Sequence, residues 1–185
     1  MRRCLFVVMC TVILFGSPAL AGIGKGNGEI GFDFGATSFD SEVSGKGAGR
    51  LAFRGGYHLS KWFELEGETS ASVHGNLQGQ TRNEADIVLA TLFVNGVFNF
   101  HSRSGNVVPY LLAGIGRARL DFPLANFNDT GPARQIGGGC RFFFGDEDQV
   151  AFRLQVARLM EDTFDETSTH LNYVAGFSWR LGGGT

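Results

Sequence analysis

The amino-acid sequence predicts an all-β fold, an eight-stranded antiparallel up-and-down transmembrane β-barrel. Three observations point to it. Bulky apolar residues alternate with small or polar ones at period two in eight successive runs. Each run is about nine to fifteen residues long, where soluble strands average about five or six and a tilted membrane crossing takes about nine to eleven. The connections alternate between tight and long, as in barrels with short turns at one rim and loops at the other.

The strands follow in order. The first, about 29 to 37, sets Ile30, Phe32, Phe34 and Ala36 against Glu29, Gly31, Asp33 and Gly35. In the second, about 49 to 57, Leu51, Phe53 and Tyr57 oppose Arg50, Ala52 and Arg54. The third, about 62 to 73, is the clearest, with Phe63, Leu65, Gly67, Thr69, Ala71 and Val73 opposite Glu64, Glu66 and Glu68. Strand four, about 86 to 100, is apolar on both parities; the favoured facing turns Val88, Ala90, Leu92, Val94, Phe98 and Phe100 outward and Asn95 inward. In strand five, about 108 to 120, Tyr110, Leu112, Gly114, Gly116, Ala118 and Leu120 are read as outward, with Arg117 and Arg119 inward. Strand six, about 133 to 144, opposes Ile136, Cys140, Phe142 and Phe144 to Gln135, Gly137, Gly139 and Arg141. Strand seven, about 149 to 159, opposes Val150, Phe152, Leu154 and Val156 to Arg153 and Gln155. The eighth, about 169 to 181, opposes Leu171, Tyr173, Ala175, Phe177, Trp179 and Leu181 to Asn172, Ser178 and Arg180. Tight turns are expected around 58–60, 100–106 and 145–148, and long loops at 38–48, 74–85, 121–132 and 160–168.

Upstream, Arg2 and Arg3 precede an apolar run from Leu5 to Phe15 and then Ala19-Leu-Ala21. That is the pattern of a secretory signal peptide, residues 1–21, cleaved before Gly22. A flexible N-terminal arm, 22–28, and one barrel domain, 29–181, complete the organisation. The mature chain of 185 − 21 = 164 residues keeps Cys140 alone, which excludes an internal disulfide. With Arg2 and Arg3 removed it carries 14 basic and 18 acidic side chains, a balance that argues against a nucleic-acid partner. The predicted location is the outer membrane of a Gram-negative bacterium.

Alternation alone does not separate a membrane barrel from a soluble one. The polar parity decides, because it mixes small residues with charges of both signs: Asp33, Arg50, Arg54, Glu64, Glu66, Glu68, Arg117, Arg119, Arg141, Arg153 and Arg180. Such a set suits the narrow lumen of an eight-stranded barrel, which side chains fill. The lysines, Lys25, Lys46 and Lys61, all lie outside the strands. Tyr57, Trp62, Phe63, Phe98, Phe100, Tyr110, Phe142, Phe144, Phe152 and Trp179 gather near the short turns as an interfacial girdle. The long loops are acidic, holding Asp40, Glu42, Glu84, Asp121, Asp129, Glu161, Asp162, Asp165 and Glu166.

Asn95-Gly-Val-Phe-Asn-Phe100 followed by Pro109-Tyr-Leu-Leu-Ala-Gly-Ile-Gly116 resembles the OmpA-like barrel family, also called the outer membrane protein β-barrel domain or opacity-type porin family. Arg54-Gly-Gly-Tyr57 and Leu171-Asn-Tyr-Val-Ala-Gly-Phe-Ser-Trp-Arg-Leu181 are similar to it too, so that the likeness spans the mature chain. It implies insertion by the barrel-assembly machinery, which reads a terminal aromatic residue in this family; here Gly182-Gly-Gly-Thr185 follows Leu181.

No catalytic residue, cofactor or metal is expected. The glycine patterns Gly22 to Gly28 and Ala113-Gly-Ile-Gly-Arg117 do not sit between a strand and a helix, as a nucleotide-binding turn must. Asp146-Glu-Asp148 reads as a solvated turn without calcium-loop spacing. His58, His74, His101 and His170 fall at strand ends or loops and are not grouped. A lipid A-modifying enzyme would need a His-activated Ser; His170 has Ser168 and Glu166 nearby, but takes the inward parity. Arg134 and Arg158 face outward at the long-loop ends of strands six and seven, where they could contact lipopolysaccharide phosphates or simply snorkel. The expected role is structural or surface-interactive, in adhesion or envelope integrity, with the lumen plugged by charge. Its expected partners are outer-membrane lipid and lipopolysaccharide and an extracellular ligand at the long loops; a small-solute porin is the alternative.

Overall fold

A computed structural model describes residues 28–39, 47–60, 62–74, 87–100, 107–122, 127–144, 150–163 and 166–181. The expected signal peptide, the arm as far as residue 27, and Asp146-Glu-Asp148 and His101 lie outside the described residues. Eight strands, β1 (Gly28–Ser38), β2 (Gly47–His58), β3 (Phe63–His74), β4 (Ile87–Asn99), β5 (Val107–Phe122), β6 (Phe127–Phe144), β7 (Val150–Thr163) and β8 (Glu166–Leu181), pair in chain order. Every neighbouring pair is antiparallel, and β1 pairs with β8 to close the barrel. Closure leaves no free edge, so the strands satisfy each other's N–H and C=O groups without water.

Six strands run longer than their alternation predicts, chiefly at the long-loop rim, while β3 has the expected length and β4 is slightly shorter. Phe127 to Pro132 belong to β6, and β7 and β8 continue to Thr163 and from Glu166, where these two residues are register partners. Asp121, Asp129, Glu161 and Asp162 therefore stand on strands and not in loops. The cause is that polar residues end an apolar alternation without ending a ladder: above the membrane both faces of a hairpin can be polar while its backbone bonds continue.

The exterior is apolar. Phe32, Phe34, Leu51, Phe53, Leu65, Leu92, Val94, Leu111, Leu154, Val156 and Phe177 are all exposed, and Ile115 reaches 72%. A surface so continuously greasy has hydrocarbon as its solvent. Near the short turns Tyr57, Trp62, Phe63, Phe98, Phe100, Phe144 and Trp179 form the outward aromatic girdle. Neighbouring rings touch: Trp62 stacks on Phe98 at 6.2 Å between centroids, and Phe98 meets Phe100 edge-on at 5.1 Å.

Strand four has the favoured facing, with Leu92, Val94 and Phe98 outside and Asn95 inside. Strand five is the reverse of its prediction. Tyr110, Leu112, Ala118 and Leu120 are buried in the lumen, while Leu111, Ile115, Arg117 and Arg119 point out. Both parities of β5 are apolar, so the arginines alone set the expected facing, on the premise that guanidinium groups turn inward. That premise fails near the headgroups, where an outward arginine costs only about 0–1 kcal/mol.

Glycines allow the tight curvature. A Cβ at Gly35, Gly116 or Gly139 would stand 2.0 Å from a backbone oxygen of the facing strand, that of Tyr173, Leu92 or Leu154. Closure itself is measurable: the unheated chain in sodium dodecyl sulfate is expected to migrate differently from the boiled chain, and identical mobility would contradict a closed barrel.

Candidate functional site: the luminal charge network and the outer rim

Alternation places one residue in two along each strand inside the cylinder, and the short-turn half of that interior is charged. Glu66, on β3, lies at its centre and is 1% exposed. Its Oε2 accepts hydrogen bonds from Arg153 Nη1 at 2.6 Å and Arg54 Nη1 at 3.2 Å, and Arg141 Nη2 approaches to 3.8 Å. Its Oε1 accepts from Asn95 Nδ2 at 3.2 Å.

From this hub the contacts spread through the lumen. Arg54 also donates two bonds to Asp33, the Nη2 one 2.7 Å long. Arg141 Nη1 reaches Glu64 Oε2 at 2.7 Å and Asn99 Oδ1 at 3.2 Å. Arg153 donates to Tyr110 and Gln155, and its guanidinium lies 4.5 Å from the Tyr110 ring centroid. Arg50 pairs with Glu68, which also accepts from Asn95 and Gln135. Seven strands, β1 to β7, supply the side chains named above, and a glycine of β8 supplies room. A Cβ at Gly176 would lie 1.9 Å from Asp33 Oδ1, just as one at Gly114 would lie 1.9 Å from Asn95 Oδ1.

Of the charges expected to share the lumen, Asp33, Arg50, Arg54, Glu64, Glu66, Glu68, Arg141 and Arg153 come together there. Arg180 stands half-buried at the short-turn end, 4.1 Å from the Phe143 ring centroid. Arg117 and Arg119 are the correction: both are exposed on the outer wall, and Arg119 Nη2 lies 3.7 Å from Asp121. Tyr110, expected in the girdle, is a luminal hydrogen-bonding residue instead. Its hydroxyl made both assignments chemically reasonable, and only the parity of Leu111, Ala113 and Ile115 separates them.

Several network members escaped the sequence reading. His58 Nε2 lies 3.2 Å from Glu29 Oε2, and its Nδ1 lies 3.7 Å from Glu64 Oε2. These three could in principle offer one ligand atom each to a cation. Arg141, however, already stands against both carboxylates, 2.7 Å from Glu64 and 3.7 Å from Glu29, and supplies the counter-charge. Glu161, expected in a loop, is buried and pairs with His170 at 3.1 Å. The His170 ring also meets Phe39 edge-on at 5.0 Å and is 1% exposed, so it faces no lipid substrate. Inward parity was the signal for both.

The long-loop half of the lumen is of another kind. Phe39, Ala48, Leu89, Phe93, Ala118, Leu120, Ala133 and Leu159 form one apolar cluster there. Small polar contacts are interleaved with it, Ser70 to Thr91 at 2.6 Å and Thr37 to Ser72 and Asn172 at 2.8 Å each, and Thr37, Ser72 and Thr91 are register partners of Ala48, Leu89 and Ala118.

Residues 7–184 match the family described as outer membrane protein beta-barrel domain. The chain belongs to that family. Its members are outer-membrane proteins, and the greasy exterior described above is what that location demands. Among solved structures, Neisserial surface protein A superposes with a TM-score of 0.70 at 13% identity, covering 86% of this chain and 100% of that one. The outer membrane protein OprG of Pseudomonas aeruginosa gives 0.54 at 13% identity, over 85% of this chain and 97% of its own. Ail, the attachment invasion locus protein of Yersinia pestis, gives 0.50 at 15% identity, over 85% and 99%. These likenesses establish the shared eight-stranded fold. No curated protein sequence matches the chain.

Removing Glu66 leaves three guanidinium groups facing one another in a dry lumen. Glu66→Ala is therefore expected to lower unfolding stability in detergent or bilayers by about 3–5 kcal/mol, read from urea titration. Arg119→Ala, which breaks an exposed pair, is expected to change it by about 0–1 kcal/mol. Equal effects of the two would refute the hub.

Proposed function

We propose that this family member is a structural or surface-interactive barrel, serving adhesion or envelope integrity, with a lumen closed to solutes. It is exported by a cleaved signal peptide, inserted by the barrel-assembly machinery and resident in the outer membrane of a Gram-negative bacterium. The observation that carries this reading is the plug around Glu66. A solute would have to part Arg54, Arg141 and Arg153 from their shared carboxylate and then cross the apolar cluster around Phe93 and Leu120. Breaking one such buried pair costs about 3–5 kcal/mol, and a permeating solute would have to break several at once.

A rigid plugged cylinder leaves the rim as the surface available to partners. Loops and hairpin ends on a fixed scaffold are where binding residues concentrate. The extensions of β5 to β8 beyond the apolar band are the part of this chain that reaches outward on that reading. An extracellular ligand at the long connections fits it.

Conductance separates this proposal from a small-solute porin. Reconstituted in planar bilayers, the purified chain is expected to show no discrete current steps. Reproducible steps in the unmodified protein would favour the porin and sink the closed-lumen reading.

A further inference from the structure

Among the described residues, the outward-facing arginines are Arg117, Arg119, Arg134 and Arg158, and all stand on three adjacent strands, β5, β6 and β7. On the other strands the corresponding outward positions near that rim are uncharged: Ala36, Gly49, Ala71, Ala90 and Leu171. Simple snorkelling does not require this segregation, since it would suit any strand equally.

The register makes the cluster tight. Ile115 pairs with Arg134 and Ile136 with Arg158, so Arg117, Arg134 and Arg158 are diagonal neighbours across three strands. Diagonal side chains on one sheet face lie about 7–8 Å apart at the backbone, within reach of long side chains. Like charges so placed repel unless an anion sits among them. Two acids partly serve: Asp121 lies 3.7 Å from Arg119, and Asp162 lies 3.4 Å from Arg134. Among the described residues Arg158 meets only Thr169 Oγ1, at 3.5 Å, and Arg117 meets no acid.

Toward the membrane centre from Arg134 and Arg158 the wall is hollow. A groove of about 690 Å³ runs over β6, β7, β8 and β1, floored by Gly138, Cys140, Ala175 and Ala36 and walled by Val156 and Tyr173. Val156 precedes Arg158 by two residues, about 6–7 Å along a strand. A cationic rim above an apolar trough matches a molecule with a phosphorylated head and a hydrocarbon tail.

We propose that Arg117, Arg119, Arg134 and Arg158, with the groove that opens beneath Arg134 and Arg158, form an outer-wall site for a phosphate-bearing glycolipid of the outer leaflet. Guanidinium forks bind the head phosphates bidentately, the geometry for which arginine is better suited than lysine. One acyl chain lies over Gly138 and Ala175. The site rests on the membrane placement argued above, and it deepens the expectation for Arg134 and Arg158 by adding the two arginines of β5 and the trough.

The test titrates the full chain, folded in detergent, with purified lipopolysaccharide, with the same material after removal of its phosphates, and with inorganic phosphate. The triple variant Arg117→Gln, Arg134→Gln, Arg158→Gln is expected to bind intact lipopolysaccharide roughly a hundredfold more weakly, as is the unaltered chain toward the dephosphorylated form. Ala36→Phe with Ala175→Phe, which fills the trough, should also weaken binding. Unchanged affinity in the triple variant, or equal binding of the dephosphorylated lipid, would overturn the site. Displacement of the lipid by an equal concentration of inorganic phosphate would overturn it as well, because the arginines would then hold a free anion. Loss of heat-modifiable migration in the unaltered chain would count against the membrane placement instead, which keeps the two failures distinct.

Discussion

A closed eight-stranded barrel has an interior too narrow for water-filled space and too long for one kind of residue, and the carboxylate of Glu66 is what makes that interior stable. One oxygen faces guanidinium groups from β2, β6 and β7, strands that would otherwise bring three positive charges into a dry space. Buried ions lose most of their hydration, and only close pairing with the remaining donors and acceptors satisfied compensates. Asn95, Tyr110, Gln135 and Gln155 perform that second task, each bonding a charged partner. Glycines at 114 and 176 leave the space in which Asn95 and Asp33 lie. Charge and emptiness are thus coupled: a side chain at either glycine would displace a network member.

The two halves of the lumen do different work. In the short-turn half, charges and amides of β1 to β7 bond across the lumen and so resist shear between strands. In the long-loop half, Leu89, Phe93, Leu120 and Leu159 pack as the core of a soluble protein would. That apolar cap keeps water from the ion network below, which strengthens each pair by lowering the local dielectric.

Strand number, order and nearly all facings were legible because alternation at period two is a direct imprint of a wall with two solvents. In β3, Glu64, Glu66 and Glu68 opposite Leu65 leave one facing possible. In β5 both parities are apolar, and the inference had to lean on arginine. Arginine is the wrong witness, since it is accepted both in a paired lumen and at a headgroup rim. The continuous outward series Leu111, Ala113 and Ile115 was the better one, matching the apolar length of the neighbouring strands before Arg117 begins. The hairpin extensions were hidden for a related reason: beyond the apolar band the sequence loses its periodicity while the backbone ladder persists. Pairings such as His58 with Glu29 and Glu161 with His170 join residues on different strands, and parity says only that they face inward, not that they meet.

Two populations of arginine follow from one rule. Arg141 and Arg134 share β6 and lie seven residues apart, an odd spacing, so that one points inward and the other outward. Arg153 and Arg158 stand five apart on β7 with the same consequence. Height then decides what each side can tolerate. Low on the strand an outward arginine would meet hydrocarbon, so arginines there face the carboxylates; high on the strand Leu120 and Leu159 pack the lumen beside the buried Glu161–His170 pair, whose carboxylate already has its partner, and arginines there face the membrane surface. The apolar cap that seals the lumen is therefore also what sends the upper arginines outward, and a closed interior and a basic outer rim are two results of the same packing.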